Sequence, residues 1–156
     1  MKIYQQLIND LKEKNLTIST AESCTGGLIA KLITDVPGSS QVFIGGVVSY
    51  SNEMKNKLLR VKQETLEKFG AVSENTVFEM LEGILLTTGS DLAVAVSGIA
   101  GPTGGTEYRP VGTVYIGVAL NYQRIVKKYL FQGDREEVRN RSAEKIVEMI
   151  WEVLSS

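Results

Sequence analysis

The sequence contains no histidine. That absence removes Ser-His-Asp and Cys-His nucleophile systems, histidine metal sites and phosphohistidine chemistry. A single cysteine, Cys24, leaves no partner for an intrachain disulfide and no cluster for a thiolate zinc site. Long apolar runs are missing too: stretches such as residues 114–120 fall far short of the roughly 20 residues a membrane helix needs. Neither sign of charge dominates, with 17 Lys and Arg against 18 Asp and Glu. The net charge of −1 gives no basic footprint for nucleic acid. An enzyme built from this chain must take its base from Lys, Asp, Glu or Tyr.

What is present describes an ordinary globular protein of 156 residues, 43% hydrophobic and 22% charged. A chain of this length buries roughly two-thirds of its unfolded surface and needs no metal or disulfide to hold a core. Nothing reads as a linker, repeat or low-complexity tract, so residues 1–156 are expected to form one domain. Ile3, Leu7 and Leu11, four apart, make the N-terminal segment an amphipathic helix, and Asp10 and Glu13 within it argue against a targeting signal. Together with one reduced cysteine, this fits the cytoplasm.

Strands are expected at residues 16–20, 46–50, 91–97, 112–120 and 124–131. Helices are expected near residues 26–35, from 52 to about 69, from Ser73 to Thr88 with Gly89 as the stop, and after Asp134. Residues 91–97 are nearly all apolar, as a central parallel strand buried on both faces should be. Residues 98–112 hold five of the fifteen glycines and two of the three prolines. No helix fits there, so the next strand should return antiparallel, followed by a hairpin around Asn121, Tyr122 and Gln123. Arg124, Lys127 and Lys128 would protect the last strand as a sheet edge. Asp134 and Glu137 are spaced as an acidic capping box. The fold expected is a three-layer α/β/α sandwich on a mixed five-stranded sheet, order 2-1-3-4-5, with strand 4 antiparallel.

Three parallel strands in that order bring residues 21–27, 50–55 and 97–105 to one rim, at the crevice where α/β sheets bind ligands. Ser23, between strand and helix, either caps the helix or sits among its free N–H groups as a nucleophile. Thr25 offers an alternative cap, and Glu22 is favourable at a helix start in any case. Lys55 falls in the first turn of a helix capped by Asn52; it is either a solvated lysine or an amine kept neutral for general-base work. Tyr50 is an anchored core aromatic or a site hydrogen-bonder. Gly98, Gly101, Gly104 and Gly105 form either a plain connection or an anion-binding nest. Arg109, Arg135 and Arg139 offer phosphate contacts or surface ion pairs. Cys24 is a small buried residue or, with Glu22 and Lys55, a nitrilase-like Cys-Glu-Lys set.

Seven segments occur in order: TAESCTGGL (20–28), PGSS (37–40), GGVVSYSNEMK (45–55), GAVS (70–73), GIAGPTGG (98–105), RPVG (109–112) and GDREEVR (133–139). Together they closely resemble the CinA C-terminal domain family, whose active members are nicotinamide mononucleotide deamidases. The resemblance implies a metal-free, cofactor-free amidohydrolase that converts nicotinamide mononucleotide to nicotinate mononucleotide and ammonia. It puts the nucleophile on Ser23, the lysine base on Lys55 and an assisting tyrosine on Tyr50. It also gives substrate-binding positions to Gly26, Gly45, Gly46 and Ser97 beside the glycines and arginines already named. Ser97 stands where many relatives have threonine, and Arg109 where lysine is commoner. Many relatives carry an N-terminal domain before this part, and a standalone enzyme is expected here.

The missing histidines fit this resemblance, because a serine-lysine dyad supplies a base without imidazole. The expected partner is a small nucleotide substrate, with no nucleic acid and no membrane; a homo-oligomer stays open. Two rival classes use the same rim: a nucleotide-binding module without turnover, and a competence-related interaction domain.

Overall fold

A computed structural model describes residues 2–156. Helix α1 (Lys2–Lys14) buries Tyr4, Leu7, Ile8 and Leu11 along one stripe, and Lys12 and Lys14 in its last turn complement the helix dipole. Three strands then pair in parallel: β1 (Ile18–Glu22) lies between β2 (Phe43–Val48) and β3 (Leu92–Gly98). β4 (Thr113–Leu120) runs antiparallel to β3, and β5 (Gln123–Leu130) antiparallel to β4. The order β2-β1-β3-β4-β5 is the one expected. The remaining helices are α2 (Leu28–Thr34), α3 (Asn52–Leu59), α4 (Gln63–Phe69), α5 (Glu74–Thr88) and α6 (Arg135–Leu154).

Side-chain alternation along the strands sorts the helices into two layers. Leu92, Val94 and Val96 of β3 join α1, α2 and α6 in one core. Ala93 and Ala95 face the other way, into a core with α3, α4 and α5. The second face is built from small residues, so α5 approaches the sheet closely; a Cβ at Gly117 would stand 2.7 Å from Leu81 Cδ1. Among the described residues, no helix is long and apolar enough to cross a membrane.

Several boundaries differ from the sequence reading. β1 begins and ends two residues later than residues 16–20, because Leu16 still bonds back to Leu11 O and Thr17 pairs with Asp91 below the sheet. β2 spans 43–48 rather than 46–50. Its Gly46 lies so close to β1 that an added Cβ would overlap Thr20 Oγ1. α2 starts at Leu28 rather than near Gly26, since Gly26 and Gly27 have φ of 61° and 101°, outside the helical region. Ser51, not Asn52, caps α3, its hydroxyl accepting from Met54 N. The Ser73 cap, the Gly89 stop and the Asp134–Glu137 capping box stand as expected.

Gly83 in the middle of α5 gives a test of the close layer. In a free helix, Gly→Ala stabilises by about 1 kcal/mol. Here the added Cβ would overlap the Leu59 carbonyl at the end of α3, and backbone cannot step aside as a flexible side chain can. Overpacking of this kind costs about 1–3 kcal/mol, so Gly83→Ala should lower stability despite its better helix propensity. A fall in the urea midpoint at unchanged m-value is the expected measurement; a rise would mean that α3 and α5 are looser than described.

Candidate active site

The site begins with Glu22, the last residue of β1, which is buried. Its carboxylate accepts hydrogen bonds from Ile29 N at 2.9 Å, Ala30 N at 3.0 Å and the Thr25 hydroxyl at 2.6 Å. A strand-end carboxylate thus occupies the amino end of α2, where a negative charge is favourable. Neither Ser23 nor Thr25 performs that capping. Ser23 N donates to Val96 O across the sheet and Ser23 O accepts from Gly26 N, so the backbone is fixed while the hydroxyl is left for other partners.

Lys55 supplies that partner. It lies four residues past the Ser51 cap, is only 1% exposed, and donates from Nζ to Ser23 Oγ at 2.9 Å and to Ser49 O at 2.8 Å. Among the described residues, no carboxylate forms an ion pair with it. Burial lowers its pKa from 10.5 to about 8, with Cys24 opposing the shift. At pH 7.5 roughly a quarter of such an amine is neutral, against about one in a thousand for an ordinary lysine. The neutral amine keeps two N–H donors and one lone pair. It can hold Ser49 O while accepting the Ser23 hydroxyl proton, which is the geometry of a general base and its nucleophile.

Cys24 does not share this chemistry. Its thiol is buried and burial pushes its pKa up to about 12, against the opposing charge of Arg139. The Glu22 carboxylate is engaged with α2 and Lys55 with Ser23, so the Cys-Glu-Lys set is not assembled. Among the described residues, no group of three His, Cys, Asp or Glu side chains is placed to hold a metal ion.

Ser23 and Lys55 open into a cavity of about 240 Å³ at the carboxyl ends of β1 and β3. Ser97 and Gly98 form one wall, Ala71, Val72 and Ala100 an apolar side, and Tyr50, Asn52 and Arg135 the polar mouth. Tyr50 is 60% exposed, and its hydroxyl accepts from Arg135 Nη2 at 3.0 Å; it bonds to neither Ser23 nor Lys55. Ser97 donates to Ala71 O at 2.9 Å. Arg109 stands outside the cavity and donates to the Phe69 and Val72 carbonyls, pinning the α4–α5 connection that carries the apolar wall. Gly26 adjoins Arg139, whose Nε donates to Cys24 O at 2.9 Å. Gly45 and Gly46 lie in the body of β2 and Gly104 and Gly105 in the outer loop, away from the lining; Gly101 O accepts from Arg135 Nη1 at 2.6 Å.

Sequence reasoning missed four contributors. Asn52 lines the mouth because Ser51 relieves it of capping. Ala71 and Val72 were visible only as the segment GAVS. The Ser49 carbonyl carries no side-chain signal at all.

The fold, with a serine after β1 bonded to a lysine in the first turn of α3, defines a class of α/β protein with a polar crevice at the switch of strand order. The family model for the CinA C-terminal domain matches residues 1–154, and the chain belongs to that family. It is 55% identical over 137 residues to a CinA-like protein of Kosmotoga olearia, covering 88% of this chain and 33% of that one. The crystal structure of a competence/damage inducible protein from Agrobacterium tumefaciens superposes with a TM-score of 0.93 at 39% identity, covering 96% of this chain and 92% of that one. For competence damage-inducible protein A of Klebsiella pneumoniae, the TM-score is 0.95 at 36% identity, covering 99% and 96%. The chain spans about a third of the length of the curated relatives it matches.

The buried thiol gives a direct check on the site. At pH 8 a disulfide reagent such as dithiobis(nitrobenzoate) should leave the native protein nearly untouched and titrate one thiol per chain after unfolding. Rapid native reaction would mean that Cys24 is open and ionised, and would restore the thiol as a candidate nucleophile.

Proposed function

We propose that this domain is a metal-independent amidohydrolase that deamidates nicotinamide mononucleotide to nicotinate mononucleotide and ammonia. The buried contact between Lys55 Nζ and Ser23 Oγ is the observation that carries the reaction class. The substrate comes from the resemblance of the seven segments to active deamidases. Neutral Lys55 takes the Ser23 hydroxyl proton as Oγ attacks the carboxamide carbon. The positively charged pyridinium ring makes that carbon more electrophilic. Oxyanion charge develops beside the turn after β1, where the Cys24 and Thr25 N–H groups donate to no oxygen of any described residue. Lys55 returns the proton to the leaving nitrogen, the C–N bond breaks, and ammonia departs. Water, deprotonated by the same amine, then attacks the acyl-Ser23 ester and releases the acid. An assisting role for Tyr50 requires its hydroxyl to leave Arg135 and turn inward.

The test is ammonia release from nicotinamide mononucleotide, with free nicotinamide and the riboside as controls. Turnover should survive a chelator. Ser23→Ala should lower it by at least about a thousandfold while nucleotide still binds. Arginine cannot deprotonate in this range, so Lys55→Arg should be as inactive as Lys55→Ala. If Lys55→Arg retained substantial single-turnover activity, Lys55 would be a charge and not a base.

The pH profile follows from the same group. An amine must lose its proton to act, and burial brings that loss down to about pH 8. The specificity constant should therefore rise with pH through a limb near 8 and level off above it. A flat profile between pH 6 and 9.5, or a limb near 10.5, would remove Lys55 from the base role.

A further inference from the structure

Among the described residues, two elements each carry a pair of exposed large hydrophobic side chains: β2, with Ile44 and Val48, and α5, with Phe78 and Leu86. β2 is a sheet edge, but its pairing with β1 shifts register between Ile18 and Ser19, an irregularity of the kind that blunts an edge against further pairing. α5 has no such protection. One flank of it is taken by its own layer: Gly83 lies against Leu59 of α3, and Glu79 accepts from Lys62 N and from the Thr65 hydroxyl of α4. Val77 and Leu81 lie over Gly117 on the sheet. Phe78, Glu82 and Leu86, each four residues from the next, form a stripe on the remaining side.

That stripe is symmetric about Glu82. Phe78, 42% exposed, stands four residues before it, and Leu86, 64% exposed, stands four after. A two-fold axis through Glu82 lays α5 antiparallel to the α5 of a second copy and brings Phe78 of each chain to Leu86 of the other. Such self-complementarity is what an isologous interface requires, and rows four residues apart are the ridges along which helices most often pack. The charges agree. Glu82 accepts from Arg124 Nε through Oε1, and its Oε2 has no partner among the described residues. Arg124 spends Nη1 on the Asn121 and Gln123 carbonyls, and its Nη2 makes no hydrogen bond among them. One acceptor and one donor group are left over beside the axis on each chain. The two-fold sets Oε2 of one copy against Nη2 of the other, closing a ring of four alternating charges.

We infer that the outer stripe of α5, together with Arg124 of β5, is a homodimer interface whose occupant is a second copy of this chain. Four apolar side chains and two ion pairs make a small contact of the kind that associates weakly, so dissociation is expected at about micromolar concentration. None of these residues lines the cavity beside Ser23 and Lys55, and the interface holds whichever substrate the site takes.

The experiment is sedimentation equilibrium of the full chain from about 1 µM to about 1 mM, with the urea midpoint of each variant as a check on folding. Wild type should fit a monomer–dimer equilibrium. Leu86→Glu should weaken the dimer by about a hundredfold, because each dimer loses the apolar contact twice; Leu86→Ser is the milder variant should Leu86→Glu fail to fold. Glu82→Arg and Arg124→Glu should each dissociate the dimer by gathering like charges at the axis. The double reversal, E82R with R124E, restores the alternation and should restore the dimer. Ile44→Lys, on the β2 edge, should leave association unchanged. A wild type that stays monomeric over the whole range overturns the interface, as does association that runs on past the dimer. A dimer that Ile44→Lys abolishes while Leu86→Glu leaves it intact overturns it too. So does a folded double-reversal variant that stays as dissociated as the single ones.

Discussion

A lysine buried with no counter-carboxylate among the described residues is the constraint around which this protein is arranged. With its pKa lowered from 10.5 to about 8, holding Lys55 charged in the fold costs on the order of 3 kcal/mol at neutral pH. The sign is fixed by linkage: the unfolded chain binds the proton more tightly. The penalty is full below about pH 8 and is relieved as pH rises from there toward 10.5. Such a cost is tolerable only if the surroundings leave the amine no other conformation. The Ser49 carbonyl at the end of β2, the Ser51 cap and the close seat of α3 against Gly83 of α5 together enforce its position.

Glu22 shows how the opposite charge is kept from neutralising this amine. Strand alternation puts Ile18 of β1 in the core with α2 and Ala21 in the core with α3 and α5. Glu22 therefore faces the α2 layer, and three donors there satisfy its carboxylate. Lys55 arrives from the other layer. The two ionisable groups flank Ser23 from opposite faces of the sheet, one satisfied by a helix start and the other left to titrate. Had Ser23 rather than Glu22 satisfied the start of α2, its hydroxyl would have been bound to backbone N–H groups and lost as a partner for Lys55.

The sheet order was legible because each strand carried its own signal: an all-apolar β3 for the centre, glycine and proline punctuation for the change of direction, and a basic β5 for the edge. Caps were legible where a single residue could serve, as at Ser73 and Asp134. They were not where two candidates adjoin, as at Ser51 and Asn52, since either side chain can reach the same N–H group and tertiary packing decides. Ser23 stood out by residue type at a strand end, and Lys55 by its place in the first turn of a helix. The work of Arg109 and Ser97 did not, because both bond to carbonyls of the α4–α5 connection, and no local pattern encodes an acceptor that is backbone.

The polar groups near the cavity divide by whether the protein has already satisfied them. Ser97, Arg109 and Glu22 are engaged with acceptors or donors of the fold, and their removal would first loosen a wall or a helix. Lys55 and Ser23 are bonded to each other and open to the cavity, while Asn52 and Arg135 face its mouth with capacity unspent. Only the buried pair carries a desolvation cost that a ligand could offset; Asn52 and Arg135 are exposed, and a ligand there replaces water. The unspent groups form a sequence of their own, from a proton acceptor and a hydroxyl at the floor to an amide and a guanidinium at the mouth. Under the proposed function, that order would suit a substrate whose carboxamide reaches the floor while its polar remainder stays at the mouth.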